Sequence, residues 1–310
     1  MSGHAGSNQP SSLRAILLAL GANFAIFLTK LAAALLTGSG SMAAEAVHSL
    51  ADCGNQCLLL LGMRQARRPA SPEHPLGEGN ALYFWSFLVA MLLFSVGGMF
   101  SIYEGVHKLR EPEPLRWPWL AVGVLAFGVV AESFSMWGCL REVNKARGGM
   151  GLWRWFRTSR ASELIVIFGE DLAALLGLSF ALVAVVVTIL TGDPFWDACG
   201  SLAIGALLVV IAALVAVEVK ALLVGSSAEP ALRAEILAFI EAQPEVAQVY
   251  HVITLQLGPD IMLATKARMR ASDTNGGAGE LVEAINRVEA ALRARFPSVR
   301  WSFFEPDIVD

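Results

Sequence analysis

His48 and Asp52 stand four residues apart in Ala44-Glu45-Ala46-Val47-His48-Ser49-Leu50-Ala51-Asp52, inside an otherwise apolar, helix-length segment. On a helix, residues i and i+4 share a face, so an imidazole and a carboxylate project together. Ionisable groups in hydrocarbon are costly, and an intramembrane pair marks a functional site by default. One imidazole and one carboxylate are also half of a four-coordinate site for zinc or a similar dication. Further along, Glu170 and Asp171 are adjacent acids well inside a second apolar run. Asp171 is the natural partner of the His48–Asp52 pair. Glu170 sits about 100° round the helix, and its longer side chain can swing back. A dication, or protons in its absence, removes the cost of burying two carboxylates together. Alternation between metal and proton is what an exchanger requires.

The elements that must position these groups are membrane spans. The chain of 310 residues is 55% hydrophobic and 16% charged, with a mean hydropathy of +0.57, against about 25% charged in soluble proteins. Several apolar runs approach or exceed the roughly 20 residues that cross a bilayer. Six spans are predicted, at 14–36, 40–66, 81–108, 117–143, 161–191 and 195–224. Arg64, Arg67, Arg68, Arg141, Lys145, Arg147, Arg154, Arg157 and Arg160 fall in the connections on one side. The other side holds Lys108, Arg110 and Arg116, offset by Glu111 and Glu113. The positive-inside rule then places both termini in the cytoplasm, and Trp117, Trp119, Trp153, Trp155 and Trp196 fall near span ends, at the interface. A net charge of -4 with no basic tail excludes nucleic acid as a partner. The first apolar run is too long for a signal-peptide core and reads as a retained span. With no targeting peptide, the expected location is a bacterial inner (cell) membrane.

After residue 225 charges return and apolar runs shorten. Residues 230–243 and 280–296 read as amphipathic helices, and 246–257, 261–269 and 299–304 as strands, with a turn at Gly258-Pro259-Asp260. The expected fold class is therefore an α-helical membrane protein, six transmembrane helices with a C-terminal cytoplasmic ferredoxin-like α+β domain. The expected divisions are a disordered segment over 1–13, a six-helix membrane domain over 14–225 and a cytoplasmic α+β domain over 226–310.

Other polar groups fall within the spans. Glu45, His48, Asp52 and Asn55 form one stripe at i, i+3, i+7 and i+10. Asn55 and Gln56 read equally as interhelical hydrogen bonds or pathway groups. Asn23 reads first as an interhelical hydrogen bond. Glu132, beside Ser133, reads first as a structural pairing and second as a proton relay. Glu218 lies near the end of the sixth span. Lys30 and Lys220 are placed to snorkel. Cys53, Cys57, Cys139 and Cys199 read as small buried filler.

These residues together resemble the cation diffusion facilitator family of divalent-metal transporters, over nearly the whole chain. The resemblance rests on Lys30 with Thr37-Gly38-Ser39, then His48-Ser49-Leu50-Ala51-Asp52, His74-Pro75-Leu76-Gly77, Gly192-Asp193-Pro194, Leu257-Gly258-Pro259-Asp260 and Glu305-Pro306. Asn55-Gln56, Asn80, Tyr103-Glu104-Gly105 and Glu170-Asp171 are most similar to the branch of the mitochondrial zinc exporter of animals.

The resemblance implies Zn2+ efflux by metal–proton antiport with alternating access, no covalent chemistry and hence no enzyme, no cofactor, and a homodimer joined through the C-terminal domain. Its partners are the divalent cation, protons and the lipid bilayer. The metal ligands implied are His48, Asp52, Asp171 and, in a less usual place, Glu170. The family's second ligand pair is incomplete here, because Ile167 stands four residues before Asp171. Glu170, Asn55 or a water is left to fill the fourth position. An oxygen-richer site would tolerate Mn2+, Fe2+ or Co2+. The family's loop site is eroded, with Ser71 and Glu78 beside His74. Phe303 stands where a regulatory histidine would be, so with His251 alone the tail reads as a dimerisation domain without metal. Two other classes remain. One is a membrane-anchored metal sensor or scaffold without turnover. The other is a proton-coupled exporter of an organic substrate, ranked lower because it requires a larger, aromatic-lined cavity.

Overall fold

The computed structural model describes residues 9–112, 114–270 and 277–309. Residues 1–8 of the segment expected to be disordered, and Glu113, lie outside them. The described chain begins directly in a helix, α1 (Gln9–Thr37), five residues before the first span was expected. Then come α2 (Gly40–Ala66), α3 (Ala81–Leu92), a π-helical segment (Leu93–Met99), α4 (Phe100–Arg110) and α5 (Pro118–Ala146). Next are the short α6 (Leu152–Thr158), α7 (Ser162–Thr191) and α8 (Phe195–Val224). The π-helical segment and α6 were not expected from the sequence. Each of the other boundaries falls within three residues of its expected place.

Four stretches, Ala81–Arg110, Pro118–Ala146, Ser162–Thr191 and Phe195–Val224, are long and apolar enough to cross a membrane, and Asn23–Thr37 is a shorter apolar one. With 27 residues, α2 has the length, but Glu45, His48, Asp52, Asn55 and Gln56 lower its apolarity. Large apolar side chains point outward all along the helices, among them Leu35, Phe127, Phe134, Val183 and Leu190. Helices apolar on every face are those of a membrane bundle. The chain is an integral, multi-pass membrane protein.

The chain separates into two compact units. The first holds the residues up to Leu61 with Trp85–Gly149 and Glu163–Val217; the second holds Gly62–Phe84, Met150–Ser162 and the residues from Glu218 onward.

Within the first unit, the junction of α1 and α2 follows from three residues. Gly38 turns at φ 68°, a left-handed conformation that side chains other than glycine disfavour, and so ends α1. Ser39 caps α2, its Oγ accepting from Met42 N at 3.2 Å. Asp197, buried in the first turn of α8, accepts from Ser39 Oγ (2.7 Å), Gly40 N (2.8 Å) and Ser41 Oγ (2.5 Å). One carboxylate thus neutralises the positive end of α2 and joins it to α8. Between α4 and α8, small residues permit backbone contact. A Cβ on Gly205 would lie 2.8 Å from Ile102 N and 2.9 Å from Gly98 O, the close approach that membrane helices use in place of a hydrophobic driving force.

In the second unit, α9 (Pro230–Glu241), β1 (Val246–Leu257), β2 (Asp260–Met269), α10 (Ala278–Arg295) and β3 (Val299–Pro306) follow the expected α-β-β-α-β order. The sheet runs β1-β2-β3, with β1 antiparallel and β3 parallel to β2. Ile236 and Ile240 of α9 and Val288 and Leu292 of α10 pack with Val252, Leu263 and Ala267 into one core. Ile253 and Phe303 are exposed, at 62% and 54%. In the same unit Tyr83, fully buried, donates to the Gly258 carbonyl at 3.2 Å. Arg157 of α6 pairs with Glu218, near the end of the sixth span, and Arg160 donates to Ser227 O.

Candidate functional site

The polar stripe of α2 faces inward. Glu45, His48 and Asn55 have no exposed surface, and Asp52 is half-buried. His48 Nδ1 lies 3.7 Å from Asp52 Oδ1, beyond hydrogen-bond length. Both imidazole nitrogens and Asp52 Oδ1 are buried without a hydrogen-bond partner among the described residues. Buried polar atoms are normally satisfied, so three such atoms on one helix face point to a missing cation or water. Space beside the imidazole comes from Gly97 in the π-helical segment, whose Cβ would lie 3.9 Å from His48 Nδ1. Single π turns often occur at functional sites.

The two acids of α7 are held by different neighbours. Asn55 Nδ2 donates to Glu170 Oε1 at 2.5 Å, which ties α7 to α2. Asp171 Oδ1 accepts from Ser135 Oγ of α5 at 3.2 Å, and Cys139, one turn on, also bonds to Asp171. Both acids lie within the range at which buried charges interact with Asp52. His48 and Asp52 are thus brought together, while Glu170 and Asp171 are close by and turned to other partners. No three His, Cys, Asp or Glu side chains among the described residues converge on one point. Ile167 is 39% exposed, so the position four residues before Asp171 does not face the stripe. Asn55, one of the groups considered for the fourth position, instead binds Glu170.

Several expectations need correction. Lys30 does not snorkel. It is 2% exposed and pairs with Glu45 Oε2 at 3.1 Å and Ser49 Oγ at 2.8 Å. An acid one helix away outweighs the reach to water, since removing the partner of a buried charge is strongly unfavourable. Cys57 is exposed, not buried filler, and Cys199 is intermediate. Ser135 was missed, although its place three residues after Glu132 puts the two on neighbouring positions of one face. Asp197 was also missed, because serine hydroxyls 156 and 158 residues distant leave no local pattern.

Outside the spans, the eroded loop site is occupied by structure. Glu78 accepts from Gln65 Nε2 at 2.7 Å and from Arg68 at 3.4 Å. The Gln65 hydrogen bond, with Arg68 behind it, holds its carboxyl below the ordinary carboxylate range. His74 and Ser71 close a turn on each other, His74 N donating to Ser71 Oγ at 3.1 Å.

Comparison with known proteins adds to this geometry. Residues 16–224 match the family profile described as the cation efflux transmembrane domain. The chain is 34% identical over 247 residues to the mitochondrial proton-coupled zinc antiporter SLC30A9 of Xenopus laevis, covering 79% of this chain and 44% of that protein. It is 29% identical to metal tolerance protein C4 of Arabidopsis thaliana, over 81% of this chain and 56% of the relative. It is 26% identical to the cation-efflux pump FieF of Salmonella arizonae, over 92% of this chain and 89% of the relative. The chain spans less than half the length of the antiporters it matches.

Proposed function

The chain belongs to the cation diffusion facilitator family, and from that premise we propose that it exports a divalent cation, Zn2+ first, in exchange for protons. The carrying observation is the buried His48–Asp52 pair with its unpartnered nitrogen and oxygen atoms. An imidazole and a carboxylate one turn apart, inside an apolar bundle, are donors suited to a cation. In this reading the cation is bound first by His48 and Asp52. Asp171 then exchanges Ser135, and Glu170 exchanges Asn55, for the metal. Those neutral hydrogen-bond donors stabilise the two acids while no metal is bound, so ligation replaces bonds and does not create them from nothing.

Ligation requires a neutral imidazole and ionised carboxylates. Protons arriving from the opposite side compete for the same atoms and release the metal. Alternating exposure of the site to the two sides turns that competition into exchange. No bond in a substrate is made or broken. The basic connections support a cytoplasmic position for both termini. The homodimer fits the exposed Ile253 and Phe303 of the C-terminal sheet, which a second copy would cover. The lack of three converged donors among the described residues favours a second reading, a membrane-anchored sensor or scaffold. The oxygen-rich donor set leaves Mn2+, Fe2+ and Co2+ as further cargo.

Zinc flux into sealed proteoliposomes under an imposed pH gradient tests the proposal. Gradient-dependent uptake, lost in Asp52→Ala and Asp171→Ala, is expected. Zinc binding without flux in the native protein would overturn zinc transport and establish the sensor or another cargo.

A further inference from the structure

Glu45 is the acid of the α2 stripe that metal ligation does not use. It is fully buried, and its two oxygens differ. Oε2 receives the Lys30 ammonium at 3.1 Å. Oε1 is buried with no hydrogen-bond partner among the described residues. It faces α7 at Gly177, where a Cβ would come within 2.6 Å of it; the glycine keeps that space open. His48, three residues on and on the same face, has both nitrogens unpartnered and is within charge-interaction range of Glu45 and Lys30. A carboxylate oxygen desolvated without a partner is unfavourable. An oxygen and an imidazole on one face suit a divalent cation that keeps part of its water shell.

We infer that Glu45 Oε1 and His48 form a second stop for the cation, between one and two turns from Asp52 toward the N-terminal end of α2, and that Lys30 is the tethered counter-cation that keeps this stop weak. The inference rests on the transport reading. A cation handed on from Asp52 meets a carboxylate already half-neutralised by an ammonium, so it is held and then let go. Ion passage through pores uses such weak, successive sites. Without Lys30 both oxygens of Glu45 would be free and the stop would become a trap.

The test uses the full chain, with zinc as the probe, in equilibrium dialysis and in proteoliposome flux. The variants are Lys30→Met and the double Lys30→Met/Glu45→Gln, which leaves no lone buried charge and so keeps the fold. The double variant should bind one zinc per chain with native affinity and carry it at least ~10-fold more slowly, an added barrier of about 1.4 kcal/mol. The neutral His48 ring has one lone pair and holds one cation at a time, so Lys30→Met should bind its zinc at least ~10-fold more tightly than the native chain and carry it more slowly. Native flux in the double variant overturns the inference, as does a Lys30→Met chain that binds zinc with native affinity. If Lys30→Met does not fold, the flux of the double variant decides alone. A native protein that moves no zinc would defeat the transport reading instead, and the tighter zinc of Lys30→Met would still report on the stop.

Discussion

His48 Nδ1 lies 3.7 Å from Asp52 Oδ1 along one turn of α2, too far for a hydrogen bond and suited to one ion between them. If the pair is the primary site, His48→Ala and Asp52→Ala each remove a direct ligand. Loss of a supporting contact alone lowers metal affinity roughly 10–100-fold, so each variant should lose at least that much. Calorimetric zinc titration measures it, with circular dichroism to confirm retained helix. Affinity within twofold of native in both would move the site elsewhere.

Asn55 and Glu170 give a test with the opposite sign. The 2.5 Å bond from Asn55 Nδ2 joins α2 to α7. Hydrogen bonds to charged groups contribute about 1.5–3 kcal/mol. If Glu170 must give up Asn55 to bind metal, Asn55→Leu removes that opposing term. Zinc affinity should then rise by about tenfold or more, while the metal-free protein becomes less stable. Unchanged affinity in this variant would take Glu170 out of the ligand set.

The architecture was legible because its causes are local. Apolar length sets the spans, and alternation with turn residues sets the C-terminal strands, so these boundaries fell close to the structure. His48 and Asp52 were legible for the same reason: their spacing fixes a shared face. The partners of Glu170, Asp171 and Lys30 were not. They depend on which helices adjoin, and a sequence read alone does not give helix neighbours. Lys30 shows this best. Its length permitted snorkelling, and only the presence of Glu45 across the α1–α2 contact decides against it. The π-helical segment beside His48 also has no signal of its own beyond Gly97-Gly98.

Gly205 should be sensitive to its first added carbon. A Cβ there would meet backbone atoms of Ile102 and Gly98, at 2.8 and 2.9 Å, and backbone does not yield as a flexible side-chain end does. Overpacking of this kind costs about 1–3 kcal/mol. Gly205→Ala should lower the midpoint of thermal unfolding in detergent, and Gly205→Val more so. Gly123, with nothing within 4 Å of its added Cβ, is the control. Equal midpoints for the Ala variants at positions 205 and 123 would mean that α4 and α8 are not in backbone contact.

The C-terminal domain should show an acid-sensitive contribution from Glu245. Arg287 Nε donates to Glu245 Oε1 at 2.9 Å, and that bond holds the Glu245 carboxyl below its ordinary value of 4.5. A carboxyl depressed on folding stabilises the folded state above its unfolded pKa and ceases to do so as pH falls through the folded value. The contribution is therefore complete at pH 7 and is lost progressively as the pH falls below the unfolded carboxyl's value of about 4.3. Arg287 is 59% exposed, so solvent screening keeps it to about 1 kcal/mol or less. Arg287→Met should lower the melting midpoint at pH 7 by a few degrees at most, with the native–variant difference shrinking as the pH approaches 3. Salt at 1 M should shrink it in the same way, since the Debye length there is about 3 Å. A difference that persists unchanged at pH 3 would assign the effect of Arg287 to the packing of its stem and not to its charge.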